Sequence, residues 1–171
     1  MIYFTADEHY GHKNIIKYCN RPFKNADEMD RELIKNHNEI VGDSDTVYHL
    51  GDFTLAPKNI AYQYLDKLNG NHIMIRGSHD MWMDSGYKEI IYLRIDGQLI
   101  VLCHYAMRTW QASHYNSWQL YGHSHGTLEG IGKQFDVGVD IHGFKPISLD
   151  LVKEIMKSQP DNVNLIKNTK N

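Results

Sequence analysis

Tyr121-Gly122-His123-Ser124-His125-Gly126 follows a short apolar run and sets two histidines around one serine. Two readings compete. As G-x-S-x-G the stretch matches the turn that presents a nucleophilic serine in α/β-hydrolases, where a helix must follow the serine at once. As H-x-H it holds two imidazoles two residues apart, and residues i and i+2 of an extended chain point the same way. The continuation, Thr127-Leu128-Glu129-Gly130-Ile131-Gly132, has two glycines and no amphipathic face. Beyond the motif only His142 remains to serve Ser124 as a base. A serine hydrolase built on Ser124 is therefore the weaker reading, Ser124 becomes a spacer, and the histidines carry the chemistry.

Working outward, the same placement recurs. Ile2-Tyr3-Phe4 reads as a strand running into Asp7-Glu8-His9, and a helix follows over Lys13 to Tyr18. Asn25, with Glu28 three residues on, caps a helix whose face is Met29, Leu33, His37 and Ile40 and whose end is Gly42. Thr46 to Leu50 is a strand that ends at Gly51-Asp52. Pro57 opens a third helix with Ile60, Tyr64, Leu65 and Leu68 on one face and Gly70 after it. His72 to Ile75 is a strand ending at Gly77-Ser78-His79-Asp80. Glu89 to Ile95 and Gln98 to Cys103 form a hairpin through Asp96-Gly97, a type I′ signal, and the second strand delivers His104. Trp118 to Tyr121 leads into the opening motif, Gln134 to Gly138 is a further strand, and Ser148 caps a last helix to about Lys157. The polar tail from about 160 to 171 is expected to fray. β/α units followed by β-rich units predict one α/β domain over 1–171, with sheets covered by helices.

Asp7 and His9, Asp52, His79, His104, and His123 with His125 thus each lie just after a strand. Ligands of α/β sheets bind outside the carboxyl ends of strands. One aspartate after a strand is more often a turn former than a ligand; five strand ends agreeing is another matter. The bulk numbers fit. Among 171 residues, 42% are hydrophobic and 23% charged, and the 11 histidines are spread without a polyhistidine run. A net charge of −3 argues against a long nucleic-acid groove but leaves room for a small nucleotide or phosphoester. No apolar run of about 18 residues predicts a membrane span, and the start, MIYFTADEHYGH, does not read as a signal peptide. Two cysteines, Cys19 and Cys103, fit a reducing, cytoplasmic setting, with Cys103 in the core.

The ordered set Asp7-x-His9, Gly51-Asp52, Gly77-Ser78-His79-Asp80, His104 and Gly122-His123-x-His125 resembles the calcineurin-like metallophosphoesterases, whose pattern runs D-x-H, G-D, G-N-H-(D/E), H, G-H-x-H. The match spans residues 7 to 125, about two-thirds of the chain. The start, HYGHKNIIKYCNRPF, is similar to a small single-domain branch found in microbes and phages. The resemblance implies two packed mixed β-sheets flanked by helices, a four-layer αββα sandwich, with two divalent metal ions on the rim. By position, Asp7, His9 and His125 would hold the first ion, Asp52 would bridge, and His104 and His123 would hold the second. Ser78 stands where the family has a metal-binding asparagine, which puts the strength of the second site in question.

Imidazole and carboxylate donors suit manganese, the expected ion, and also iron, zinc or nickel. A hydroxide between two such ions is a nucleophile for in-line attack on phosphorus at neutral pH. His79 would donate a proton to the leaving oxygen, with Asp80 orienting it. His12 and Arg21, near the first block, are candidates for contact with phosphate. Arg108 is another, in a segment from Tyr105 to Trp118 whose aromatics Trp110, Tyr115 and Trp118 can pack as an ordinary loop or stack on a base. His37, His49, His72, His114 and His142 receive no metal role. The reading is a metal-dependent phosphoesterase, a phosphodiesterase before a monoesterase. The alternative from another class is a binding module on the same fold, catalytically impaired at Ser78.

Overall fold

A computed structural model describes residues 1–166. Two short runs rich in β-branched and aromatic residues, β1 (Ile2–Thr5) and β2 (Thr46–His49), pair in parallel with each other, and β3 (Asn71–Met74) pairs in parallel with β2. Tyr3 faces Val47 and Val47 faces His72, so one register runs across the three strands. The helices α1 (Lys13–Tyr18), α2 (Ala26–Asn38) and α3 (Lys58–Leu65) make the crossovers. Asn25 Oδ1 accepts the Glu28 N–H at 2.9 Å and so caps α2. The Glu28 carboxylate closes the box one residue early, on the Lys24 N–H at 2.8 Å. Pro57 precedes α3 as its cap.

The second half builds β4 (Ile90–Ile95), β5 (Gln98–Cys103), β6 (Trp118–Tyr121) and β7 (Gln134–Asp136). The β4–β5 hairpin turns through Asp96 and Gly97, both at positive φ (50° and 81°), as a type I′ turn requires. β5, β6 and β7 run parallel. One sequence expectation is incomplete here. A two-residue strand, β8 (Ile147–Ser148), lies antiparallel on β1 and completes a sheet of order β3-β2-β1-β8; two residues are too few to show alternation in the sequence. The helix α4 (Leu149–Ser158) follows, with Ser148 Oγ accepting the Leu151 N–H.

The two four-stranded mixed sheets, the second of order β4-β5-β6-β7, face one another. Phe4, Tyr48 and Leu50 meet Ile100, Leu102 and Leu120 between them, joined by Leu149, Val152 and Met156 of α4. Burial on this scale is worth roughly 1.5–3 kcal/mol per large apolar side chain. A second cluster, with Ile15, Met29, Leu33 and Ala61, packs the helices α1–α3 on the other side of the first sheet. The outer face of the second sheet is closed differently. Gln119 and Gln134 bond to each other and to backbone groups of Tyr105 and Met107, so the segment after β5 lies over that face with one 3-10 turn, Ser113–Tyr115. Much of the Tyr105 to Trp118 stretch is thus a packed covering, while the Tyr105 and Tyr115 rings stay exposed.

The same covering corrects the expected fraying from residue 160. Asn162 is buried, its amide donates to the carbonyls of Ser113 and Ser117, and Ile166 N–H reaches His114 O. The polar residues there are spent on loop backbone that water would otherwise have to satisfy. The part of that tail from 167 to 171 lies outside the described residues. Among the described residues no helix is long and apolar enough to cross a membrane.

Candidate metal centre

The five strand ends bring their polar residues to one rim, but not through extended chain. Asp7, His9, Asp52, His123 and His125 all have positive φ, between 47° and 68°. Non-glycine residues adopt this region rarely and at a cost, mostly at functional sites. Residues i and i+2 face the same centre here because each sits in a left-handed kink; strand alternation, the expected reason, is not the cause. The kinked loops also pass very close together. A Cβ on Gly77 would stand 2.3 Å from Asp52 N and 2.4 Å from its Oδ1, and one on Gly122 would meet Ala6 at 2.5 Å and Asp7 Oδ2 at 2.8 Å. Glycine in the G-S-H-D and G-H-S-H blocks is therefore a packing requirement of the site.

Two ligand sets result. Asp7, His9 and His125 form one group and Asp52, His104 and His123 another, with the donor atoms of each within 4.8 Å of one another. Asp52 Oδ2 lies 3.7 Å from His9 Nε2 and 3.3 Å from His104 Nε2, so its carboxylate stands between the two sets. Ser78 Oγ donates to the same carboxylate, at 3.0 Å and 3.2 Å from its two oxygens. His79 donates its backbone N–H to Asp52 Oδ1 at 2.8 Å, and its half-exposed ring places Nε2 3.9 Å from Asp52 Oδ2. The Asp7 carboxylate accepts the His123 N–H, which ties the first sheet's loop to the second's.

The residues fit divalent cations. Both ring nitrogens of His9 and Nε2 of His104 are buried without a hydrogen-bond partner among the described residues, a costly arrangement unless something else takes their lone pairs. Burial pushes Asp7 up to about 7, even with His125 and His104 nearby. Burial likewise pushes His9 down to about 3. Burial alone would raise Asp52, but His104 and the His79 N–H hold it well below the usual carboxylate range. Burial would lower His104 and His125, and their partners Asp52 and Asp140 raise them instead. An acid driven towards neutrality beside imidazoles with free lone pairs is an environment that cations complete.

Some side chains have other employment than the sequence suggested. Asp80 does not orient the His79 ring. It is fully buried, and its oxygens accept the N–H groups of Asp52, Phe53, Thr54 and Gly77 and the Trp82 indole, clasping two metal-site loops together. Arg21 is buried and out of reach of a phosphate. Its guanidinium forks onto Asp140 at 2.8 Å for both contacts, and it also donates to the carbonyls of Asp7 and Glu8. Arg108 is exposed and does not line the cavity at the site. Ser124 Oγ donates to Asp136 at 2.6 Å, and the next elements are β7 and a 3-10 turn with no α-helix directly after it, so the nucleophile-elbow reading fails.

His12 does face the site. It lines a cavity of about 380 Å³ together with His9, His79, His123 and His125.

Asp140 was not singled out in the sequence. It lies in a short 3-10 turn after β7, and its Oδ2 accepts from His125 Nδ1 at 2.7 Å. His104 Nδ1 donates to Leu50 O at 2.8 Å in the same way. Both bonds turn the Nε2 atoms towards the centre, the usual arrangement for metal-binding histidines.

No family model matches the chain. An uncharacterized protein of Methanocaldococcus jannaschii, MJ1445, is 36% identical over 165 residues, which cover 91% of either chain. A crystal structure of a protein of unknown function from Aquifex aeolicus, AQ665, superposes with a TM-score of 0.72 at 26% identity, over 91% of this chain and 98% of that one. A conserved uncharacterized protein of Streptococcus pneumoniae, described as a predicted phosphoesterase, is a looser likeness, with 20% identity and a TM-score of 0.42 over 80% of this chain and 70% of its own; it is too distant to bear on the chemistry. The chain belongs to one family with the Methanocaldococcus jannaschii protein.

Proposed function

We propose that the protein is a cytoplasmic, metal-dependent phosphodiesterase acting on a small phosphoester or nucleotide, with manganese as its working ion. The observation that carries this reading is the pair of Asp/His sets sharing one rim, with the Asp52 carboxylate between them. Asp7, His9, Asp52 and His125 would hold one ion, and Asp52, His104, His123 and the Ser78 hydroxyl the other. When bound, two such ions supply an activated water and neutralise charge on the phosphoryl group. The chain's own residues do the rest. Asp140 and Leu50 O fix the ring orientations of His125 and His104. His79 stands half exposed at the cavity mouth, where its ring can hand a proton to the departing oxygen.

Preference for diesters follows from charge. Among the described residues lining the cavity there is no lysine or arginine, so a dianionic monoester finds no side-chain cation, whereas a singly charged diester needs fewer. The test compares an aryl phosphodiester with the matching monoester, in the wild type and in His79→Ala, with metal content measured on the same samples. Diester turnover should exceed monoester turnover. His79→Ala should keep its metal and lose about 10²–10⁴-fold in rate, the usual worth of a positioned acid. Loss of metal in His79→Ala would refute its role, and bound metal without turnover on any ester in the wild type would favour a binding module.

A further inference from the structure

The cavity over the two ligand sets has two unlike sides. Its floor is the histidines His9, His79, His123 and His125, and one wall is Ile15, Tyr18 and Cys19 of the α1 region. Ile15 is buried and anchors that short helix in the core beneath. Tyr18 ends the helix with 74% of its surface exposed. Its ring stands edge-on to His12, with centroids 6.4 Å apart, and His12 in turn lies 5.5 Å from the His9 ring and 6.3 Å from the His79 ring. A row of flat rings thus leads outward from the metal site along the side where His79 stands. His12 Nδ1 is buried there without a hydrogen-bond partner among the described residues, and burial holds the imidazole below its ordinary pKa, which favours a neutral ring. Phosphate alone has no use for an apolar, cation-free wall.

We infer that Tyr18, backed by His12, is a stacking platform for a planar ring on the leaving group, so that the substrate is a phosphodiester whose departing arm carries an aryl ring or a nucleobase. The inference rests on the phosphoesterase reading and names the substrate class for that site. Aromatic platforms suit this task because every base or aryl group offers a π-face and a tyrosine loses little entropy in presenting one. Tyr105 is the other exposed ring nearby, edge-on to His104 and His123 at 4.9 Å and 4.8 Å. It opens onto a separate hollow with Arg76, Gly77 and Glu89, which His79 does not line. It therefore serves as the control.

The test uses phosphonates, whose carbon–phosphorus bond resists hydrolysis, so that binding is read apart from turnover. Manganese-loaded protein is titrated by calorimetry with phenylphosphonate and with methylphosphonate. The wild type should bind the phenyl compound about tenfold more tightly, on the scale of stacking one ring. Tyr18→Ala should erase that preference without weakening methylphosphonate, Tyr18→Phe should keep it, and Tyr105→Ala should leave it intact. Equal binding of the two phosphonates by the wild type would overturn the platform alone. So would loss of the preference in Tyr105→Ala, or equal weakening of both ligands in Tyr18→Ala. Failure of both phosphonates to bind the metal-loaded wild type would overturn the phosphoesterase reading and the platform with it.

Discussion

Arg21 and Asp140 lie 119 residues apart and meet beneath the first ligand set. Arg21 holds the carbonyls of Asp7 and Glu8 and forks onto Asp140, and Asp140 holds His125 Nδ1. One brace therefore serves ligands from both ends of the chain. Asp140→Ala should weaken binding at the first set by about 10–100-fold, the usual effect of losing a ligand's supporting bond, and leave the second nearly unchanged; calorimetric Mn²⁺ titration reads both, and two unaltered sites would exclude the brace. Ser78 offers the converse case. Its hydroxyl reaches both oxygens of Asp52 but is shorter than an asparagine amide would be. Ser78→Asn should tighten the second site by about 10–100-fold, and no gain would show that this position does not limit it. The candidate ligands were legible because Asp and His recur after strand after strand. Asp140 was not, since its role exists only through a side chain from another loop. Arg21 and Asp80 were misread for a related reason: proximity in sequence to a site residue says nothing about whether a charge points at substrate or at backbone.

The elements show the same division. Most strands and helices with caps, apolar periodicity or a D-G turn stand within a residue or two of their expected bounds, because local rules decide them: α1 covers Lys13–Tyr18 and β5 covers Gln98–Cys103, whereas α3 stops at Leu65, short of the expected Leu68. β8 and the ordered stretch to residue 166 were missed because long-range pairing alone makes them. The packing of α2 on the first sheet carries a titration of its own. His37 of α2 is buried, donates from Nε2 to Asn69 O at 2.9 Å, and stacks near His49 and His72. Burial pushes it down to about 4 from the ordinary 6.5. A histidine depressed on folding contributes stability that is present above about 6.5 and is lost as pH falls towards 4, by up to about 3 kcal/mol in the limit. In metal-free protein Asp7, raised to about 7, works in the opposite sense, so the contrast must be made between variants. Urea midpoints of chelated protein at pH 7 and pH 5 should fall less in His37→Gln than in the wild type, since glutamine keeps the donor and cannot titrate. An equal fall in both would show that His37 is not the titrating group.

At the scale of the molecule, the ligands divide between the sheets. Asp7, His9, Asp52 and Ser78 follow strands of the first sheet, and His104, His123 and His125 follow strands of the second. Bound ions would therefore cross-link two halves that otherwise meet through the core between the sheets and through loop contacts such as Asp7 with His123 N–H. The parallel order of β1–β3 and of β5–β7 is what aims all these loops at one edge. That much of the architecture could be read from strands and helices in alternation. The left-handed kinks that turn the side chains inward could not, because φ at Asp7 or His123 is imposed by loops packed against one another. The decisive measurement is the rate of aryl phosphodiester hydrolysis by metal-stripped protein as Mn²⁺ is returned one equivalent at a time. No turnover at zero, little at one and full turnover once a second equivalent binds is the expected curve; full turnover in the stripped protein, or at one equivalent, would contradict a centre that works as a pair.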